Sequence, residues 1–230
     1  MSRLLLLLTL VLAAPSAAQS ATPSARALNT EGFRLYQDGK YPEALEKFEA
    51  AAQADPKHAL AHYNVAATLG VLRKQGQICP YSAHRQTILE RLNTSIQLDP
   101  RRLARAKQDA DLDPIRDTLG WQKLLGRSPS RQADVPELLR RVTWYSPGEG
   151  VYGSTRKLTF SEGKRVVLWR RIIEDPTRTE EKTGTYTVKG RTITLTFPDR
   201  KPLKGQMSTR GVLEFEELGA FQDSPSECEA

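Results

Sequence analysis

Apolar residues recur at helical spacing through the first half of the chain. The pattern predicts helices at residues 27–36, 42–54, 59–73 and 82–98, followed by a shortened capping segment at 101–125. Gly39 ends the first helix, and Pro42 lies in the first turn of the second. Gly32 and Ala44 are small enough to let these two helices approach closely. We therefore expect the first two helices to pack as an antiparallel pair.

From Val142 onward the apolar positions alternate, which is typical of strands with one buried face. Turns at Glu162-Gly163 and Lys189-Gly190 separate the runs. The pattern predicts six or seven antiparallel strands, forming a small β-meander or partial barrel. A barrel that encloses a ligand needs about eight strands, which is more than this pattern predicts. The expected fold class is therefore α+β, with an antiparallel helical-repeat segment ahead of the β domain.

The first 18 residues have the features of a cleavable secretory signal peptide. Arg3 supplies the positive charge, residues 4–14 are an apolar run too short to span a bilayer, and small residues end at Ala18. No cysteine near Ala18 could carry a lipoprotein anchor. The protein is therefore expected to be periplasmic or secreted, with no transmembrane span after cleavage.

These patterns divide the chain into six stretches. We expect a signal peptide at 1–18, a linker at 19–26, a helical domain at 27–125, a second linker at 126–136, a β domain at 137–221 and a tail at 222–230. Asp134, followed by Val135-Pro136-Glu137, is expected to cap one short helix at the start of the β domain.

Seven residues of the first helical pair have the order and spacing of one repeat family: Gly32, Gly39, Tyr41, Ala44, Phe48, Ala51 and Pro56. On these residues the region closely resembles a tetratricopeptide repeat. Leu28 and Glu31 depart from the family, which often has Trp and usually has Leu at these positions. A degenerate second unit runs from Pro56 to Pro100 with about ten residues more than the usual 34. The extra residues lie around 75–80.

The resemblance implies a concave groove that holds an extended peptide. The residues at groove positions are Asn29, Phe33, Tyr36, Tyr63, Asn64 and Ala67. Some family members bind a terminal carboxylate with a pair of basic residues, and this chain lacks that pair. Two roles remain open for the surface: it binds a protein or peptide partner, or it packs against the β domain.

The β segment weakly resembles the lipocalin-like domains of exported bacterial proteins, with Gly184-Thr185-Tyr186 ahead of the turn at Gly190. The resemblance implies a fold and no particular ligand. A second functional class follows, a small-ligand or anionic-lipid carrier. In it, Arg170, Arg171 and Arg178 meet an anionic head group at the mouth of the β domain. The first class, an exported interaction protein without catalysis, remains the leading hypothesis.

Composition and charge exclude several other classes. The chain is 39% hydrophobic and 27% charged, which excludes pervasive disorder and a polytopic membrane protein. The net charge of +7 weakly favours anionic partners. The densest basic run has helical spacing without interleaved aromatic residues, so a solvated helix face is expected and a nucleic-acid partner is not. That run comprises Arg101, Arg102, Arg105 and Lys107.

Three short sequence patterns resemble functional motifs, but the residues around each one argue against that function. Gly148, Gly150 and Gly153 spell GxGxxG, but a strand rather than a helix follows, so a hairpin loop is expected. The alternate carboxylates at 109, 111 and 113 begin like a calcium loop, yet Pro114 replaces its turn glycine, so capping is expected instead. His58 and His62 lie one helical turn apart without a third ligand. We expect no metal, no cofactor and no catalytic centre.

The chain has only two cysteines, Cys79 and Cys228, and each lies where no helix or strand is expected. In an oxidising compartment a lone pair of thiols tends to be joined. An intramolecular disulfide would tie the insertion loop to the C-terminal tail. Two free thiols, or an intermolecular bond through the tail, are the alternatives.

Overall fold

The computed structural model describes residues 23–147, 155–172, 175, 178–225 and 227. In these residues, helices fill the first half of the chain and an antiparallel sheet fills the second. The expected α+β class is therefore confirmed. The proposed signal peptide, the glycine-rich string at 148–153 and Cys228 lie outside the described residues.

Within the described residues, six α-helices and one 3-10 helix form the first half of the chain. Ser24 caps the first helix through its side chain, and Pro42 lies in the first turn of the second, as the sequence predicts. The helices are α1 (Ala25–Gln37), α2 (Tyr41–Ala54), α3 (Ala59–Lys74), α4 (Arg85–Leu98), α5 (Arg102–Ala106) and α6 (Leu119–Leu124), with the 3-10 helix at Ala110–Ile115.

Helix α3 is the centre of the helical half. Twelve consecutive residues, 61–72, are buried, so every face of the helix meets a neighbour. Helices α1, α2 and α4 and the 3-10 helix pack around it. Gly70 allows the 3-10 helix to pack closely on α3, since a Cβ built at Gly70 would lie 1.9 Å from the carbonyl oxygen of Asp111. The capping segment therefore lies backbone to backbone against α3.

The second half is an eight-stranded antiparallel meander in which each strand pairs with the next. Buried and exposed residues alternate along its strands, in keeping with the sequence pattern. The strands are β1 (Trp144–Tyr145), β2 (Arg156–Phe160), β3 (Arg165–Arg171), β4 (Thr179–Lys189), β5 (Thr192–Thr196), β6 (Leu203–Met207), β7 (Leu213–Phe215) and β8 (Gly219–Phe221).

The sequence predicted six or seven strands, whereas the described sheet has eight. Tyr145, at the end of β1, and Gln222, just after β8, exchange two backbone hydrogen bonds of 2.7 and 2.8 Å, which join the first strand to the last. The sheet is therefore nearly closed. Strands β1 and β8 were missed because two or three residues are too short to show alternation.

The interior of the barrel is packed with apolar side chains. Trp144, Leu158, Ile193, Leu195 and Phe221 are buried in one continuous cluster. The strand number now reaches that of a ligand-enclosing barrel, and the described apolar side chains of its interior form a packed core. The strand count therefore does not separate the two functional classes.

A short helix, α7 (Val135–Arg141), covers one end of the barrel. Its Val135, Leu138 and Leu139 belong to the barrel core. Asp134 precedes this helix as expected, but its side chain makes no capping bond and instead accepts a hydrogen bond from the Ser128 amide. The other end, where β1–β2, β3–β4, β5–β6 and β7–β8 connect, forms the mouth.

The two halves meet through the ends of β1 and β8. The Arg85 guanidinium lies 5.6 Å from the centroid of the Tyr145 ring, and the amide of Thr143 donates to the carbonyl of Asp117 at 3.0 Å. The Leu119 amide donates to the carboxylate of Asp223 at 2.7 Å. The interface therefore uses α4, α6 and the segment between the 3-10 helix and α6.

Candidate functional site

A groove lies between α1, α3 and the capping segment. It encloses a cavity of about 120 Å³. Five of the six residues predicted to lie at the groove line this cavity, whereas Asn29 does not. The lining residues are Phe33, Tyr36, Phe48, Tyr63, Asn64, Ala67, Arg105, Asp109 and Asp111.

Asn29 is buried beneath the groove. The side-chain amide of Asn64 donates a 2.9 Å hydrogen bond to the Asn29 side-chain oxygen, and both residues are at most 9% exposed. The pair joins α1 to α3 in a setting where an unpaired amide would be costly. Asn29 therefore supports the groove from below.

Two tyrosines bind the capping segment across the groove. The Tyr63 hydroxyl donates to Asp109 Oδ2 at 2.7 Å, and the Tyr36 hydroxyl donates to Asp111 Oδ2. Asp109 Oδ1 accepts from the amide of Asp111, and Asp111 Oδ1 pairs with Lys74 Nζ at 3.1 Å. All four carboxylate oxygens therefore have a donor within the described residues.

The surroundings of these hydroxyls keep them protonated. Burial, followed by the hydrogen bond to Asp111, raises the pKa of Tyr36 well above its usual range. Burial and the hydrogen bond to Asp109 raise the pKa of Tyr63 in the same way. Both hydroxyls therefore remain hydrogen-bond donors throughout the physiological pH range.

The open part of the groove is aromatic. Phe33 is 45% exposed, one of two large apolar side chains that are exposed in the described part of the chain. The Arg105 guanidinium lies 5.1 Å from the Tyr63 ring centroid and covers one side of it. The two carboxylates are already satisfied, so the groove presents the Phe33 ring beside a cavity whose lining is partly aromatic and partly polar.

Sequence reasoning missed four of the lining residues. Phe48 was assigned only to the buried stripe, and Arg105 only to a solvated helix face. Asp109 was expected to cap a helix, and it does cap the 3-10 helix, but its second oxygen also holds Tyr63. Asp109 and Tyr63 are 46 residues apart, so no local pattern could have paired them. The alternate Asp109-X-Asp111 spacing was the only available signal.

The other sequence candidates have structural roles. His58 Nδ1 accepts from the amide of Ala61 and caps α3, and His62 is buried with Nε2 bonded to the carbonyl of Pro56. No cluster of three or more potential metal ligands occurs among the described residues. Cys79 lies on the exposed loop between α3 and α4. Its partner in the predicted disulfide is outside the described residues, so the bond remains a prediction.

At the other end of the molecule, one of three predicted arginines lies at a cavity. Arg170 lines a cavity at the mouth of the barrel together with other cationic side chains, whereas Arg171 and Arg178 are not among the described lining residues. The expected trio is therefore not brought together around this cavity.

Within the described part of the chain, no helix has the length and apolar character that a membrane span requires. Compared with known proteins, the chain matches no family model and no curated protein.

Proposed function

We propose that the protein is an exported, non-catalytic interaction protein whose groove docks an extended segment of a partner protein. The single observation that carries the proposal is the exposed Phe33 ring beside a cavity lined by Tyr36 and Tyr63. Export rests on the signal-like first 18 residues. The β domain serves as a second recognition module.

The exposed Phe33 ring favours an aromatic or apolar anchor on the partner. The cavity of about 120 Å³ has room for one small side-chain group, and its lining combines aromatic rings with polar side chains. Aromatic residues in such pockets provide much of the binding energy at protein interfaces. A leucine-sized or aromatic side chain on the partner would enter the cavity and stack against Phe33.

The groove is also rigid before binding. The Tyr36–Asp111, Tyr63–Asp109 and Asn64–Asn29 hydrogen bonds fix its walls from three elements. Docking therefore requires little ordering of this chain, which favours affinity. This rigidity supports recognition of a peptide by shape and apolar contact.

Site-specific photo-crosslinking tests the proposal. A photo-reactive amino acid replaces Phe33 in cells that export the protein, and the matched control carries it at Leu98, the other exposed large apolar residue, which is 40% exposed. We expect a discrete crosslinked protein from position 33 and none from position 98. Equal crosslinking at both positions, or none at position 33, would refute the groove as the docking site.

A further inference from the structure

The end of the barrel that α7 covers is strongly basic. The chain forms this end from the linker before α7, from α7 itself and from the turns β2–β3, β4–β5 and β6–β7. These segments, residues 126–141, 161–165, 189–191 and 208–212, contain nine basic and three acidic residues. We call their exposed surface the basic end. It holds most of the net charge of +7 that the whole chain carries.

Hydrogen bonds join these segments into one continuous surface. Arg191, in the β4–β5 turn, donates through Nη2 to the carbonyls of Pro129 and Ser130 at 2.5 and 2.8 Å. Its Nη1 donates to the carbonyl of Met207, the last residue of β6, at 2.9 Å. The linker and two of the three turns are therefore fixed relative to one another.

Five basic side chains at the turns have no carboxylate partner within the described residues. Lys164, Lys189 and Arg210 are exposed, one at each turn, and their side chains form neither an ion pair nor a hydrogen bond there. Arg165 donates to a threonine hydroxyl, and Arg191 donates to backbone carbonyls, which carry no net charge. The positive charge of all five is therefore not neutralised by the fold.

The four arginines of the linker and α7 share only two carboxylates. Three of them pair with the single carboxylate of Glu137: Arg127, Arg140 and Arg141. Asp134 pairs with Arg131 at 2.7 Å. The hydrogen bonds from Arg141 and Arg140 hold the pKa of the Glu137 carboxyl below its usual range. Glu162 is the third acidic residue of the basic end, so positive charge remains in surplus.

The composition of the basic end indicates which kind of anion it fits. Its segments contain no aromatic residue, whereas surfaces that bind single-stranded nucleic acids stack bases on aromatic rings. The large apolar side chains that the described residues expose, Phe33 and Leu98, both belong to the helical half. The basic end therefore lacks the aromatic anchors that dominate binding at protein interfaces. Spread positive charge without such anchors is suited to an anionic lipid surface.

We propose that the basic end binds the surface of a membrane that contains anionic phospholipids, with Lys164, Lys189 and Arg210 at the head groups. The barrel then stands with α7 toward the membrane and with its mouth away from it. The attraction is electrostatic, so binding weakens as the salt concentration rises. The basic end shares no residue with the lining of the groove, so membrane binding and docking in the groove can fail independently.

Two triple variants separate the position of the charge from its amount. The first removes three charges from the basic end: Lys164→Gln, Lys189→Gln and Arg210→Gln. The control removes three exposed charges, also without an ion pair among the described residues, from the helical half: Lys40→Gln, Lys57→Gln and Lys107→Gln. Both variants therefore have the same net charge and lose no side-chain contact within the described residues.

Sedimentation of the full mature chain with vesicles tests the proposal. The vesicles are phosphatidylglycerol mixed with phosphatidylcholine, and pure phosphatidylcholine is the reference that should retain none of the proteins. Each basic side chain at an anionic lipid surface strengthens binding about fivefold, so the basic-end variant should bind about 100-fold more weakly than the wild type. The control variant should bind nearly as the wild type does.

The proposal is overturned if the wild type shows no salt-sensitive retention on the anionic vesicles. Equal losses of binding in the two triple variants would overturn it as well, because net charge and not the basic end would then explain retention. Binding to polyglutamate or to a DNA duplex without retention on the vesicles would assign the basic end to another polyanion and would also contradict the proposal.

Discussion

At the residue scale, Gly70 makes the closest approach to a neighbour among the glycines that the structure describes. It lies where α3 meets the carbonyl of Asp111, and that residue also holds Tyr36 in the groove. Both the packing of the capping segment and the shape of the groove therefore depend on the position of Asp111. Sequence patterns singled out Gly32 and overlooked Gly70, because the surface that Gly70 meets comes from a segment more than 40 residues further along the chain.

Gly70→Ala is expected to lower the free energy of unfolding by about 1–3 kcal/mol, the usual cost of overpacking. The added methyl group meets backbone, which cannot rotate away as a side chain can. Urea unfolding of the variant and the wild type measures the difference. An unchanged midpoint and slope would show that the 3-10 helix does not pack on α3 in this way.

Gly32→Leu is expected to destabilise the protein by a similar amount. A Cβ at Gly32 would already lie 2.8 Å from the Phe48 ring, and leucine adds three further carbon atoms. Ala44→Leu, at a position with no exposed surface, should act in the same direction. Unaltered thermal unfolding in both variants would contradict the close approach of α1 and α2.

The raised pKa values of Tyr36 and Tyr63 lead us to expect a loss of stability at alkaline pH. Their pKa values are raised in the folded protein, so their contribution is complete below the ordinary tyrosine pKa of about 10 and is lost as the pH rises above it. Tyr36→Phe and Tyr63→Phe should each make this decline shallower when unfolding is measured across the alkaline range. Equal alkaline profiles for the wild type and both variants would contradict the assignment.

At the element scale, long segments were predictable and short ones were not. The first two helices and α3 were predicted to within two residues at each end, because Gly39, Pro42 and a sustained helical period mark them. The capping segment was predicted only as a whole, since helices of five and six residues complete too little of an amphipathic pattern. Strands β1 and β8 were missed for the same reason, and with them the closure of the barrel.

Closure through Gln222 can be tested with proline. Gln222→Pro removes the amide that donates to the carbonyl of Tyr145, whereas Gln222→Ala retains it. We expect faster hydrogen exchange at the Tyr145 amide and lower stability in the proline variant alone. If both variants exchange alike and unfold alike, the β1–β8 bridge does not hold the barrel closed.

At the scale of the whole molecule, the C-terminal tail contacts the helical half. Glu227 pairs with Arg73 at 2.5 Å, accepts a hydrogen bond from the Arg85 amide at 3.4 Å, and its side chain is only 9% exposed. Arg73 and Arg85 flank the loop that carries Cys79. The residue before Cys228 is therefore anchored on both sides of that loop, which supports the predicted disulfide.

Peptide mapping without reduction tests the disulfide. We expect Cys79 and Cys228 in one crosslinked peptide, and we expect their joint replacement by serine to lower stability by up to about 5 kcal/mol, the chain-entropy limit for so long a loop. Glu227→Gln should slow oxidation of the thiols by weakening the anchor. Recovery of both cysteines as separately alkylated peptides would exclude the bond.

The affinity of the crosslinked partner for the groove tests the account most directly. The partner's segment is measured by calorimetry against the wild type, Phe33→Ala and the matched surface variant Leu98→Ala. Loss of an aromatic anchor at an interface commonly costs about 2 kcal/mol or more, so Phe33→Ala should bind at least about tenfold more weakly. Leu98→Ala should bind as the wild type does. Wild-type affinity in Phe33→Ala would contradict the central claim that the groove is the docking site.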